Sequence, residues 1–439
     1  MKHILSCLLW VCFSWFAFTL SPKSVSIYEQ MADLSEQVQG GAAVIASDEQ
    51  MPSLIDMAAN DIYTNLIPSV TADSSPREEI LVPNRPQTTP GREVTLFFKA
   101  NSLAFPEFYK LIMKTLLKDK KTVLTGMKIM NAAHLKQKGM MERHYGVINN
   151  VAQNARWMGD EKLKGIADHF NVPSDHVVGG LEAVTRINEI LRRKSKPEIS
   201  ITDIEIARMW SKAGKPFKTM PGIYSKPYTF EGETFAVVDG FYAAQLNTFY
   251  TQGCGILAFS VRLSPDFEVK ALRDLIGAND PTQAKEGTFR NVFLGMNSAA
   301  NVLENGIHGS AGYLEGLREL MNIMGFDLKD TGLFAALREK GHSEQELEEI
   351  LKILLENPEM FHSRKQKMER VFDCTEELPL DEVVKWIDDL IVTSTLFKES
   401  RYGSGMSWQE VIHNVLSHIP FDTAGSIRQA VARFVEGSA

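Results

Sequence analysis

Asn305-Gly306-Ile307-His308-Gly309-Ser310 combines a histidine, flanking glycines and a hydroxyl just ahead of an amphipathic helix. The helix is signalled by Leu314, Leu317, Leu320, Met321 and Met324, whose three- and four-residue spacing makes one apolar stripe. Backbone donors and the positive end of a helix dipole favour anionic groups near such a histidine, and an imidazole is a competent nucleophile at neutral pH. Taken alone, a histidine in a loop is more often an ordinary surface residue, so the elements that would position it decide the matter.

At 439 residues the chain has room for two or three domains, and 44% hydrophobic with 23% charged residues describes a folded protein. A net charge of −8 without a long basic stripe argues against nucleic acid as a partner, and Arg192-Arg193-Lys194 reads as a solvated helix end. Cys7 and Cys12 fall in the leader. Cys254 and Cys374 are too few for a disulfide framework or a metal cluster.

In order, residues 1–23 hold an apolar run over 4–20 behind Lys2, which predicts export or a short membrane anchor. Residues 24–91 show weak periodicity and end in a proline- and threonine-containing stretch, which predicts a low-order segment and linker. A strand over 93–99 ends on Lys99, and Pro106 opens a helix bearing Phe108, Leu111, Ile112 and Leu116. A second strand over 122–130 leads into a helix over 132–145. Residues 146–225 then read as a helical insertion, with a capping box at Thr202 and Glu205. The sheet pattern resumes at 234–238 and 255–263, and the helical face Val269, Leu272, Leu275, Ile276 stops at Gly277. Residues 327–439 predict a helical domain whose helices start at Ser343/Glu346 and Ser407/Glu410.

The segments EVTLFFKANS, TGMKIMNAAHLKQKGMMERHYG, VKALRDLIGANDPTQAKEGTFRN and NGIHGSAGYLEGLRELM resemble successive blocks of the nucleoside diphosphate kinase family, in the family's order. The resemblance covers residues 92–146 and 240–326 and implies an α+β, ferredoxin-like domain with a four-stranded antiparallel sheet, spanning 92–326. It implies His308 as the phosphate carrier, held by Ser310 and Glu319. Lys99, Tyr145, Arg273, Asn279, Arg290 and Asn305 would bind nucleotide, and Tyr242 would stack under the base. The implied reaction passes a γ-phosphate from ATP, with Mg²⁺, to a nucleoside diphosphate. Nucleoside di- and triphosphates are the expected partners, while a homo-oligomer and a protein partner for the C-terminal helices stay open.

Alone, each residue has an ordinary structural reading: Lys99 a snorkelling strand end, Tyr145 a helix-end aromatic, Arg273 and Arg290 surface ion-pair partners, and Glu319 a solvated helix position. Their joint occurrence at family spacing favours the functional one. The chain departs from the family at Ala100-Asn101, at Asn279 where threonine is usual, at Ala311, and in a lengthened segment over 291–304. A nucleotide-binding relative without catalysis, whose helical additions bind a partner, is the second class of function that fits.

Overall fold

A computed structural model of the chain describes residues 22–39, 44–120, 122–212, 214–220, 222–362, 365, 367–400 and 403–418. The apolar run 4–20 lies outside these residues. Among the described residues, no helix is long and apolar enough to cross a membrane.

Strands are numbered along the chain: β1 Glu78–Val82, β2 Glu93–Phe98, β3 Val123–Asn131, β4 Val177–Gly179, β5 Phe217–Met220, β6 Ile223–Phe230, β7 Glu233–Val238, β8 Gly255–Arg262, β9 Ile307–Gly309, β10 Glu359–His362 and β11 Lys367–Arg370. With many helices between them they form a mixed α+β protein, divided into two compact units. One comprises residues 1–73, 77–131 and 256–439, the other 74–76 and 132–255.

The first unit contains a sheet in the order β1-β3-β8-β2-β9. β2, next to the edge strand β9, is buried along its whole length. It pairs antiparallel with β8 on one side, Glu93 facing Arg262, and with β9 on the other, Phe97 facing His308. All six β2 residues are buried, which explains a run of Val, Leu and Phe without strict alternation. The sheet has five strands where four were expected, because β1 pairs antiparallel with β3.

The stretch 24–91, expected to be low-order, instead supplies β1 and the helices Pro22–Gln39 and Val44–Asp61. Their inward faces mix Tyr28, Met31 and Ile55 with Ala32, Ser35, Ala58 and Ala59, all buried. Small residues allow close helix approach but give a faint hydrophobic signal. The Ser35 hydroxyl also accepts the β3 amide of Leu124 at 3.0 Å, tying the first helix to the sheet.

The C-terminal helices are not a separate body either. Leu347, Ile350, Leu351 and Leu354 on Glu344–Leu355, and Val411, Ile412, Val415 and Leu416 on Trp408–His418, belong to one continuous core with β2 and the N-terminal helices. The β10–β11 hairpin interrupts this region, so it is not purely helical. Both predicted caps form: the amides of Glu346 and Glu410 donate to the hydroxyls of Ser343 and Ser407.

Residues 146–225, expected to be a helical insertion, fall in the second unit, which is not purely helical. It carries a four-stranded sheet in the order β4-β7-β6-β5, and 234–238, expected to rejoin the main sheet, is its strand β7. β6 and β7 form a hairpin closed by Glu231 and Gly232, both at positive φ, the pairing that tight two-residue hairpins require.

Candidate functional site

His308 sits on the edge strand β9 rather than in a loop. Its ring stacks on Phe97, the residue directly across the ladder, at 4.6 Å between centroids. The approach to β9 turns at Gly306, whose φ is +84°; a Cβ there would lie 2.7 Å from the Phe293 ring, so a larger residue would displace either ring or strand. Gly309 is equally constrained, since a Cβ there would lie 2.4 Å from Ile276 Cδ1.

The helix Tyr313–Glu319 turns its apolar stripe into the core, with Leu314 and Leu317 buried, yet it also buries Glu319 to 1% exposure. Glu319 Oε1 is 2.7 Å from His308 Nε2, and Oε2 accepts the Ser310 hydroxyl at 2.6 Å. Ser310 in turn is pinned to β2: its amide donates to the Thr95 carbonyl, and its Oγ accepts the Thr95 amide at 3.0 Å. A carboxylate bonded to Nε2 holds the ring proton there and leaves the lone pair on Nδ1. One turn earlier, Glu315 accepts the Ala311 amide at 3.1 Å, and its carboxyl is raised above the usual range by burial and by Glu319.

Arg290, on the helix Phe289–Met296, is buried and bonded in three directions. Nη1 donates to the Gly277 carbonyl at 2.9 Å and to Asn279 Oδ1 at 2.7 Å, and Nη2 to the Ile307 carbonyl at 3.1 Å. Gly277 has φ +88° and presses on Thr288, which lets the chain end the helix Val269–Ile276 and turn its carbonyl to the arginine. Asn305 Nδ2 donates to the Asn279 carbonyl at 2.9 Å, while its Oδ1 is shielded and without a partner among the described residues.

Lys99 follows β2 and is buried. Nζ donates to the Leu303 carbonyl at 3.1 Å; the flanking carbonyls of Val302 and Glu304 accept from Asn305 and Asn101. Three side chains thus hold three successive carbonyls of the lengthened segment, fixing the course of what sequence comparison shows only as extra length. Burial, then the charge of Arg290, lowers the Lys99 ammonium to about 7.

Seven of the ten expected residues are therefore linked within the first unit: Lys99, Asn279, Arg290, Asn305, His308, Ser310 and Glu319. Arg273 is in that unit but engaged elsewhere. It pairs with Glu376, and with Glu377 at 3.3 Å, from the segment after the helix Val371–Thr375. That segment lies along residues 311–312: the Glu377 amide donates to the Ala311 carbonyl, and a Cβ on Gly312 would sit 2.9 Å from the Thr375 carbonyl oxygen. Tyr145 and Tyr242 belong to the second unit, where their rings meet edge to face. Tyr242, expected under a base, is fully buried, and burial raises its hydroxyl pKa.

Sequence reasoning missed Phe97, Asn101, Glu376 and Glu377. Phe97 was detectable, since it precedes Lys99 by two in a strand and so shares its face. The glutamates were not, being about a hundred residues from their arginine.

No protein-family model and no curated protein matches the chain. Among solved structures, the apo nucleoside diphosphate kinase of Encephalitozoon cuniculi is similar over 55% of this chain and 93% of that one, at 13% sequence identity and a TM-score of 0.27. At those values the likeness identifies neither an activity nor a residue.

Proposed function

We propose that this chain is a nucleoside diphosphate kinase, moving the γ-phosphate of a nucleoside triphosphate to a nucleoside diphosphate through His308. The observation that carries the reading is the buried Glu319, which bonds His308 Nε2 and Ser310 together and so prepares Nδ1 as the nucleophile. In the first half-reaction Nδ1 attacks the γ-phosphorus, the bond to the β–γ bridging oxygen breaks, and the nucleoside diphosphate leaves with that electron pair. In the second, a terminal oxygen of another nucleoside diphosphate attacks the same phosphorus and frees the imidazole. Such transfers depend chiefly on positioning and charge neutralisation, which Lys99 and Arg290 supply.

Mg²⁺ would neutralise charge on the nucleotide's phosphate oxygens. Both oxygens of Glu319 are engaged by His308 and Ser310, which fits a metal carried in by the nucleotide rather than held by this carboxylate.

The strand order supports a ferredoxin-like reading of the catalytic sheet. β2, a helix, β3, then β8, a helix and β9 give the spatial order β3-β8-β2-β9, with β1 added at the edge and the second unit inserted between β3 and β8.

One observation favours the second reading, a nucleotide binder without turnover: Arg273, expected on phosphate, is held by Glu376 and Glu377. A steady-state assay with ATP as donor and GDP as acceptor separates the two. Parallel double-reciprocal lines are the expected result, reporting a phosphoryl-enzyme; nucleotide binding without GTP formation supports the silent relative.

A further inference from the structure

A cavity of about 310 Å³ opens in the first unit, lined by Glu36, the segment 85–89, Val123, Thr125 and Arg262. It lies at the other end of β2 from the imidazole. Arg262 faces Glu93, and His308 faces Phe97 four residues on, roughly 13 Å along the strand at 3.3 Å per residue.

The two arginines differ in how they are used. Arg85 is neutralised, with Nη2 2.5 Å from Asp33 and Nη1 3.2 Å from Glu36. The Arg262 side chain makes no hydrogen bond and no ion pair among the described residues, and its Nε is shielded from solvent. A half-buried guanidinium with its fork unused is costly unless something else accepts its protons. Glu93 is close enough to act on it electrostatically but spends Oε2 on the Gly332 amide at 2.7 Å. Burial pushes the Glu93 carboxyl up to about 7, so at neutral pH it only partly offsets the arginine. Thr88 and Thr89 stand exposed at the rim. Thr125 gives its hydroxyl proton to Ser260, and Gln87 gives its amide to the Arg85 carbonyl, so these two form wall rather than donors.

We propose that this cavity is a second ligand site, taking the phosphoryl group of a small phosphorylated molecule on Arg262, with the Thr88 and Thr89 hydroxyls at its mouth. An unspent guanidinium fork and two hydroxyls offer more donors than the two oxygens of a carboxylate use, whereas a phosphoryl group presents three terminal oxygens and a second charge. The volume leaves room for a modest organic body beyond the phosphate. The site owes nothing to His308 and stands whether or not the chain transfers phosphate.

Hydrogen exchange of the full chain, with and without inorganic phosphate at constant ionic strength, tests it. Phosphate should slow exchange at residues 85–89 and at the start of β3, and acetate should not. Arg262→Gln should weaken the phosphate concentration dependence at 85–89 by about tenfold or more, the size expected for losing a charge-assisted pair. Any protection at 305–310, where the proposed kinase site would bind phosphate, should be the same in both proteins. A Thr88→Val/Thr89→Val double variant, altered only at exposed positions, should weaken protection several-fold and serves if Arg262→Gln does not fold. Absence of protection in the wild type, equal protection by acetate, or protection unchanged in these variants would overturn the proposal.

Discussion

Glu319 Oε1 lies 2.7 Å from His308 Nε2, across a strand-to-helix connection that buries the carboxylate almost completely. The bond fixes ring orientation and tautomer together. Glu319→Ala should therefore lower kcat and kcat/KM in parallel, by on the order of ten- to a hundredfold as for other residues that orient a reacting histidine, with KM nearly unchanged. A change confined to KM would mean that Glu319 shapes nucleotide binding instead.

Arg290 has a structural task beside its proposed one. It holds the carbonyls of Gly277 and Ile307 and the side chain of Asn279, so Arg290→Ala leaves three acceptors without their donor. The variant should lose about 1–3 kcal/mol of unfolding free energy, measurable by urea denaturation, as well as activity. Unchanged stability would contradict the bonding described.

Two buried groups give opposite pH signatures. Glu93, raised to about 7 from an ordinary 4.5, binds protons in the folded state that the unfolded chain has released, so its share of stability declines as pH rises from about 4.5 to 7. That share is roughly 3 kcal/mol, and Glu93→Gln should remove it and flatten the unfolding free energy over that window. Lys99, lowered to about 7, acts in reverse: the unfolded chain binds more protons above pH 7, so stability gains as pH rises from about 7 towards the ordinary lysine value. A phosphate needs the ammonium, so nucleotide binding near pH 8 should take up a proton. Calorimetry in buffers of different ionisation enthalpy would reveal it; binding enthalpies that do not vary with buffer would refute the assignment.

The acidic pair on Arg273 offers a further check. With the three side chains between roughly a third and two-fifths exposed, Glu376→Gln/Glu377→Gln should cost well under about 1 kcal/mol. It frees a cation beside the connection to His308, so nucleotide should bind more tightly in the double variant. Weaker binding would mean that the pair supports the site by holding residues 311–312 in place.

Periodicity located β2, β3, β8 and the helices at 106, 269, 344 and 408, because each carries a strong apolar face or a capping hydroxyl. It failed where the signal is small-residue packing, as at Ala32, Ser35, Ala58 and Ala59, and where Pro227 sits inside β6 and masks an otherwise alternating hairpin. In the site, residue types were legible but their connections were not. Glu319 reads as solvent-facing on a helical wheel, since its burial depends on the Ser310 hydroxyl and His308 from a neighbouring strand. The engagement of Arg273 by Glu376 joins positions that only the folded core brings together.

The most direct test is incubation with γ-labelled ATP and Mg²⁺, followed by stability analysis of any protein-bound label. Acid-labile, base-stable label in the wild type, absent from His308→Ala and released on adding nucleoside diphosphate, is the expected result. Label that persists in His308→Ala, or a wild type that binds ATP and is never labelled, would contradict the phosphohistidine account.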